Sequence, residues 1–159
     1  MPTTLKSLRE MTAADVMSRE LTLVPEEMSL PAAAHLLSRA AISGAPVVDS
    51  KGRCIGVIST TDFVHYVGGE TPAPSSPRTR GPERVCEWQL INGASLPASA
   101  VRYFMTADPV TVEPEIPLHE LARRMLDAHI HRLVVVDELN RPIGVVSSTD
   151  ILAAVAYAE

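Results

Sequence analysis

The sequence predicts a mixed α/β fold of the α+β type, made of two β-α-β-β-α units, and three observations carry that prediction. Ile-Gly-Val-Ile-Ser-Thr-Thr-Asp at 55–62 returns as Ile-Gly-Val-Val-Ser-Ser-Thr-Asp at 143–150, an offset of 88 residues. The same offset pairs Met17 with Met105, Leu30 with Leu118, Ala34 with Ala122, Ile42 with Ile130, Val47-Val48-Asp49 with Val135-Val136-Asp137, Arg53 with Arg141 and Val67 with Val155. Each octapeptide also joins a short apolar run to a Ser-x-x-Asp spacing with apolar residues at helical intervals beyond it, so a strand enters and a helix leaves. An internal repeat of this length outweighs any local motif as evidence of architecture.

In the first copy, Thr12 and Asp15 have the spacing of a short helical cap leading to Val16 and Met17. Thr22 to Val24 reads as a short extended piece, and here the copies align best with one residue of shift, Thr22 against Thr111. Ser29 caps a helix with Pro31 in its first turn and Leu30, Ala33, Ala34, Leu37 and Ala41 on its apolar face, and Gly44 is expected to end it. Ala45 to Val48 is a strand, Asp49 to Gly52 a turn, Cys54 to Ile58 the paired strand and Thr60 to Val67 the closing helix. The second copy repeats the order: Thr111-Val112, a helix from Leu118 to His129, strand Leu133 to Val136, a turn at Glu138 to Asn140, strand Pro142 to Val146 and a helix to Tyr157. The expected organisation is an N-terminal segment (1–10), a first unit (11–67), a linker (68–99) and a second unit (100–159).

The linker differs in character from both units. Gly68, Gly69, Pro72, Pro74, Ser75, Ser76 and Pro77 open it as a loop, and alternation from Val85 to Ile91 predicts a strand whose Trp88 pins it to the core.

Bulk properties narrow the classes of function. A chain of 159 residues that is 46% hydrophobic has material for a real core. A net charge of −5 with 4% aromatic residues argues against nucleic acid as the main partner, which calls for clustered Lys and Arg or stacking platforms. Cys54 and Cys86 form no CxxC pair, which fits a reducing compartment. The N-terminus lacks the apolar core of a signal peptide, and no run reaches the roughly 18 residues of a membrane span. A soluble, cytoplasmic protein is expected, without a membrane partner.

The candidate site is the strand-to-helix junction, where hydroxyls and a carboxylate stand beside backbone N–H groups expected to lack partners: Ser59, Thr61 and Asp62 in one copy, Ser147, Thr149 and Asp150 in the other. Such a place can hold a phosphate or a sugar, although Ser-x-x-Asp is by itself an ordinary helix start.

With Val-Val-Asp before the turn and Gly-h-h-Ser-x-x-Asp (h apolar) ending the second strand in both copies, the chain resembles a tandem pair of CBS domains, a Bateman module, over residues 11–67 and 100–157. The resemblance implies two units packed through their sheets about a pseudo-two-fold axis, with two clefts for adenosine-containing ligands such as AMP, ADP, ATP or S-adenosylmethionine and no required cofactor. It makes Asp62 and Asp150 the ribose carboxylates and places Ser59, Thr61, Ser147 and Thr149 near phosphates. Adenine would lie against Ile42, Ser43, Gly44 and Ala45, and against Ile130, His131, Arg132 and Leu133, with Thr22 and Thr111 nearby. The His131-Arg132 pair is similar to repeats of the AMP-activated protein kinase gamma subunit in which this pair reaches phosphate; the first copy has Ser43-Gly44 there.

The expected function is thus a non-enzymatic ligand sensor acting on a partner protein. The alternatives are a ligand-free dimerisation scaffold and a small enzyme using His119, His129 or His131. No nucleophile–base pair and no Walker-type loop is visible, and His129-x-His131 lacks further metal ligands. Arg123, Arg124 and Asp127 read as a solvated helix face with an Arg–Asp pair at i, i+4. Leu36, Leu37, Met125, Leu126 and residues 151–158 offer apolar surface for a homodimer.

Overall fold

A computed structural model of the chain describes residues 6–67 and 99–158; the linker strand expected at Val85 to Ile91 and the anchoring role of Trp88 lie outside them. The described residues form α1 (Ala13–Val16), β1 (Val24–Pro25), α2 (Leu30–Arg39), β2 (Gly44–Val48), β3 (Cys54–Ser59), α3 (Thr60–Val67), a 3-10 turn (Val101–Tyr103), β4 (Thr106–Ala107), β5 (Thr111–Val112), α4 (Leu118–Ala128), β6 (Arg132–Val136), β7 (Pro142–Ser147) and α5 (Ser148–Ala156). Each copy thus has the β-α-β-β-α order that its periodicity predicts.

In both copies a parallel strand pair bridged by a helix is followed by an antiparallel hairpin: β1 to β2 to β3, and β5 to β6 to β7. The middle strands are continuous apolar runs because both their faces are covered, and Ala45–Val48 and Leu133–Val136 are all buried. Ser29 caps α2 by accepting from the Ala32 N–H at 3.3 Å, and Leu30, Ala33, Ala34 and Leu37 form its buried face. The hairpin turns are held by one carboxylate each. Asp49 Oδ1 accepts from the N–H groups of Lys51 and Arg53 at 2.9 Å, and Asp137 Oδ1 from those of Leu139 and Arg141 at 2.9 Å. Gly52 and Asn140 supply the left-handed turn residue, at φ 78° and 60°.

The helix α2 does not end on Gly44. It ends at Arg39, with Ala41 in the left-handed conformation at φ 53°, as His129 is after α4, and Gly44 is the first residue of β2. Nor does the register slip at β1. Val24 pairs with Val47 and Val112 with Val135, so the offset of 88 holds and Leu23, not Thr22, is the counterpart of Thr111. Arg123 and Arg124 reach back to Glu120, each at 3.7 Å, instead of forward to Asp127.

Repeat and compact unit do not coincide. One unit is Thr22–Pro109; the other joins Met1–Leu21 to Val110–Glu159. The leading segment of each repeat therefore belongs to the unit built on the other repeat. In one unit the Leu118 N–H donates to Met11 O at 2.9 Å, Ala13 N–H to Ile116 O at 3.0 Å and Ala14 N–H to Pro114 O at 2.9 Å, while Ser18 and Val145 exchange two bonds at 2.9 and 3.0 Å. In the other, Leu30 N–H donates to Ser99 O at 3.0 Å, Val101 N–H to Met28 O at 2.8 Å and Arg102 N–H to Glu26 O at 3.2 Å, and β4 pairs with Gly56 and Val57 of β3. Each of these hydrogen bonds has its image at the offset of 88, and the Val57–Thr106 pair is the image of Val145–Ser18. Ala13 and Val101 are wholly buried, and Met17 and Met105 lie directly over Gly144 and Gly56, where a side chain would collide with them.

Candidate functional site

The two junctions are built alike from the backbone upward. Gly44 faces Ser59 and Arg132 faces Ser147 across their hairpins. The first N–H of each closing helix returns to the segment before the middle strand, Thr60 to Ser43 O at 2.9 Å and Ser148 to His131 O at 2.8 Å. Within each unit this brings Ser43 and Gly44 beside Thr60 and Ser59, and His131 and Arg132 beside Ser148 and Ser147, next in sequence to Thr61 and Asp62 and to Thr149 and Asp150. Thr111 lies one strand away, its register partner being Val134. Thr22 precedes β1 and stands one residue off the position that Thr111 occupies.

The carboxylates cap their helices. Asp150 Oδ2 accepts the Ser147 N–H at 2.7 Å and hydroxyl at 2.9 Å, and the Asp150 N–H donates to Ser147 Oγ at 3.2 Å. Asp62 Oδ2 accepts the Ser59 N–H at 2.9 Å and hydroxyl at 3.2 Å. The junction N–H groups expected to lack partners are thus largely engaged: those of Ser59, Thr60, Ser147, Ser148 and Asp150 all have acceptors, because the capping box and the hairpin claim them. Cap and ligand readings remain compatible for Asp150. A carboxylate has about four acceptor positions, and both side-chain bonds of Asp150 fall on Oδ2, leaving Oδ1 without a hydrogen bond among the described residues.

The surfaces of the two junctions differ. Asp62 is buried while Asp150 is half-buried, and Thr61, Thr149, Ser43, His131 and Arg132 are exposed. Ala45 and Leu133, expected to line an adenine, instead have their side chains in the two hydrophobic cores; the apolar residues at the edge are the partly buried Ile42 and Ile130. The packing of Met17 on Gly144 and Met105 on Gly56, on the strands leading into the junctions, was not legible from local spacing; the signal was that both methionines recur at the offset. No group of three or more His, Cys, Asp or Glu able to hold a metal ion occurs among the described residues. None of their helices is long and apolar enough to cross a membrane.

The family model for the CBS domain matches this chain twice, at residues 13–69 and 100–157. Homoserine O-acetyltransferase of Methanococcoides burtonii is 28% identical over 144 residues, covering 91% of this chain and 24% of that enzyme. The chain therefore spans about a quarter of that enzyme's length. Two solved structures share the fold. The CBS domain pair of protein MJ0100, in complex with 5'-methylthioadenosine and S-adenosyl-L-methionine, has a TM-score of 0.69 at 21% identity and covers 91% of this chain and 99% of its own. CBSX2 of Arabidopsis thaliana, in complex with AMP, has a TM-score of 0.69 at 24% identity and covers 91% of this chain and 96% of its own.

Proposed function

Since the chain belongs to the CBS-domain family, we propose that it is a non-enzymatic regulatory module of the cytoplasm, which binds an adenosine-containing ligand at its strand-to-helix junctions and alters how it acts on a partner protein. The observation that carries this reading is the duplicated junction, in which an aspartate caps the closing helix beside exposed hydroxyls, and in which Arg132 stands opposite Ser147. Asp150 Oδ1 is suited to accept from a ribose hydroxyl, and the Arg132 guanidinium to meet two phosphate oxygens at once. The ligands bound by MJ0100 and CBSX2, S-adenosylmethionine, 5'-methylthioadenosine and AMP, share the adenosine part. The junction of the first repeat has Ser43-Gly44 in place of His131-Arg132, so it lacks that cation and is the weaker candidate for phosphate.

The test is a thermal-shift panel of AMP, ADP, ATP, S-adenosylmethionine and adenosine, followed by calorimetric titration. A ligand at a hundred times its Kd stabilises by about 2.7 kcal/mol, a rise of several degrees in Tm for a chain of this size. Asp150→Ala abolishes the shift while the unliganded variant stays folded. Arg132→Ala weakens AMP or ATP by roughly ten- to a hundred-fold, the loss of a charge-assisted bond, and leaves adenosine unchanged. A panel without any shift rejects ligand binding, and equal losses for AMP and adenosine reject the phosphate role of Arg132.

A further inference from the structure

The two junctions share their capping bonds and differ in what lies beneath them. The residue after the capping aspartate is Phe63 in the first repeat and Ile151 in the second. Phe63 is 1% exposed and sits in the hydrophobic core with Leu30, Leu37 and Ile58, so the first turn of α3 is drawn down onto its sheet. Asp62 goes with it and is 6% exposed, the only charged side chain buried among the described residues. Ile151, by contrast, is only partly buried against the second core, and no residue of α5 is buried. Asp150 is accordingly half-buried, with Oδ1 outside the capping bonds. The neighbouring strand differs in the same direction: Ser43 and Gly44 flank the first junction, and the exposed His131 and Arg132 the second.

We propose that the chain binds one adenosine-containing molecule, at the second junction alone, and that Asp62 serves only as the cap of α3. This rests on the function inferred above and narrows it to one site. To hold a ribose, a carboxylate must turn an oxygen outward and accept from two neighbouring hydroxyls, which takes open surface on that oxygen. Asp150 has that surface, and Asp62, drawn inward with Phe63, does not. Exposing Asp62 would lift the turn that carries Phe63 out of the core, and aromatic side chains dominate the energetics of such cores. Burial of the carboxylate, more than the lack of a cation at Ser43-Gly44, therefore silences the first junction.

The experiment is calorimetric titration of the full chain with each compound of the thermal-shift panel, with amide NMR spectra recorded at each addition. For every compound that binds, saturation is expected at one molecule per chain, with the amides of Ser147 to Ile151 shifting and those of Ser59 to Phe63 unmoved. Two molecules per chain, or shifts at both junctions, overturn the proposal and leave the inferred function standing. No saturable binding of any compound overturns that function and the proposal with it. Ser43→His with Gly44→Arg then places the cation of the second repeat in the first. Stoichiometry is expected to stay at one, since Asp62 remains buried; a second equivalent of AMP or ATP would show that charge and not burial silences the junction, and would overturn the proposal. A Cβ on Gly44 would stand 3.3 Å from the Ile58 oxygen, so circular dichroism checks that this variant folds, and if it does not, the stoichiometry and shifts of the wild type decide.

Discussion

Gly56 and Gly144 look interchangeable in the sequence, yet the structure gives them different tolerances. The three atoms nearest a Cβ on Gly144 all belong to the Met17 side chain, with Cγ at 2.8 Å and Cβ at 3.1 Å, whereas those nearest a Cβ on Gly56 include the backbone oxygen of Thr106 at 2.9 Å. Overpacking of this kind costs about 1–3 kcal/mol. Gly56→Ala should lie at or beyond the upper end and Gly144→Ala near the lower end, because a methionine can change rotamer and a strand carbonyl cannot. In a double-mutant cycle by urea denaturation, Met17→Ala should relieve part of the Gly144→Ala cost, while Met105→Ala should leave most of the Gly56→Ala cost in place. Equal costs at the two glycines would show that the Thr106 carbonyl yields. The capping role of Asp62 and Asp150 was legible in Ser-x-x-Asp, since it depends on neighbours three residues apart. The methionine–glycine contacts were not, because they join residues more than a hundred positions distant in one case and nearly fifty in the other, and local spacing is silent about such pairs.

Among the elements, the two hairpin turns repeat the same hydrogen bonds on a carboxylate and so depend on its charge. Hydrogen bonds from the backbone of Arg53, and then from its side chain and from Lys51, hold the Asp49 carboxyl below its ordinary value of 3.8; those from the backbone of Arg141 and Leu139 do the same for Asp137. A carboxyl whose pKa is lower in the folded than in the unfolded chain stabilises the fold where it is ionised in both. That contribution declines as the pH falls below the unfolded value near 3.8 and is gone below the folded one. Asp49→Asn with Asp137→Asn should therefore lower Tm at neutral pH and fall less steeply than the wild type between about pH 4 and 2 in a thermal melt series. Superimposable acid limbs would mean that these carboxylates add no pH-dependent stability. The turns were legible because Asp, Gly or Asn, and Arg recur at fixed spacing. The end of α2 was misread on Gly44 because a left-handed residue was expected to be glycine, and here it is Ala41.

At the scale of the molecule, the apolar surface assigned from the sequence to self-association is smaller than expected, since Leu37 and Met125 are core residues. Leu126 on α4, with Leu152 and Val155 on α5 and Tyr157 at its end, remain well exposed, at 74, 67, 55 and 86%. We expect a homodimer through this face, seen by light scattering at tens of micromolar and shifted to monomer by Leu152→Glu with Val155→Glu; a wild type monomeric at high micromolar concentration contradicts it. The repeat was legible apart from the shift read at Thr22, but its division into compact units was not, because similarity shows which segments are alike and not which of them pack together. That division also sets an order of synthesis. As the chain leaves the ribosome, Met28 and Leu30 can meet Val101 and Ser99 as soon as these have emerged, whereas Ala13, Met17 and Ser18 wait for Ile116, Gly144 and Val145. Residues 11–18 therefore gain their packing surface only after Gly144 and Val145 have been made.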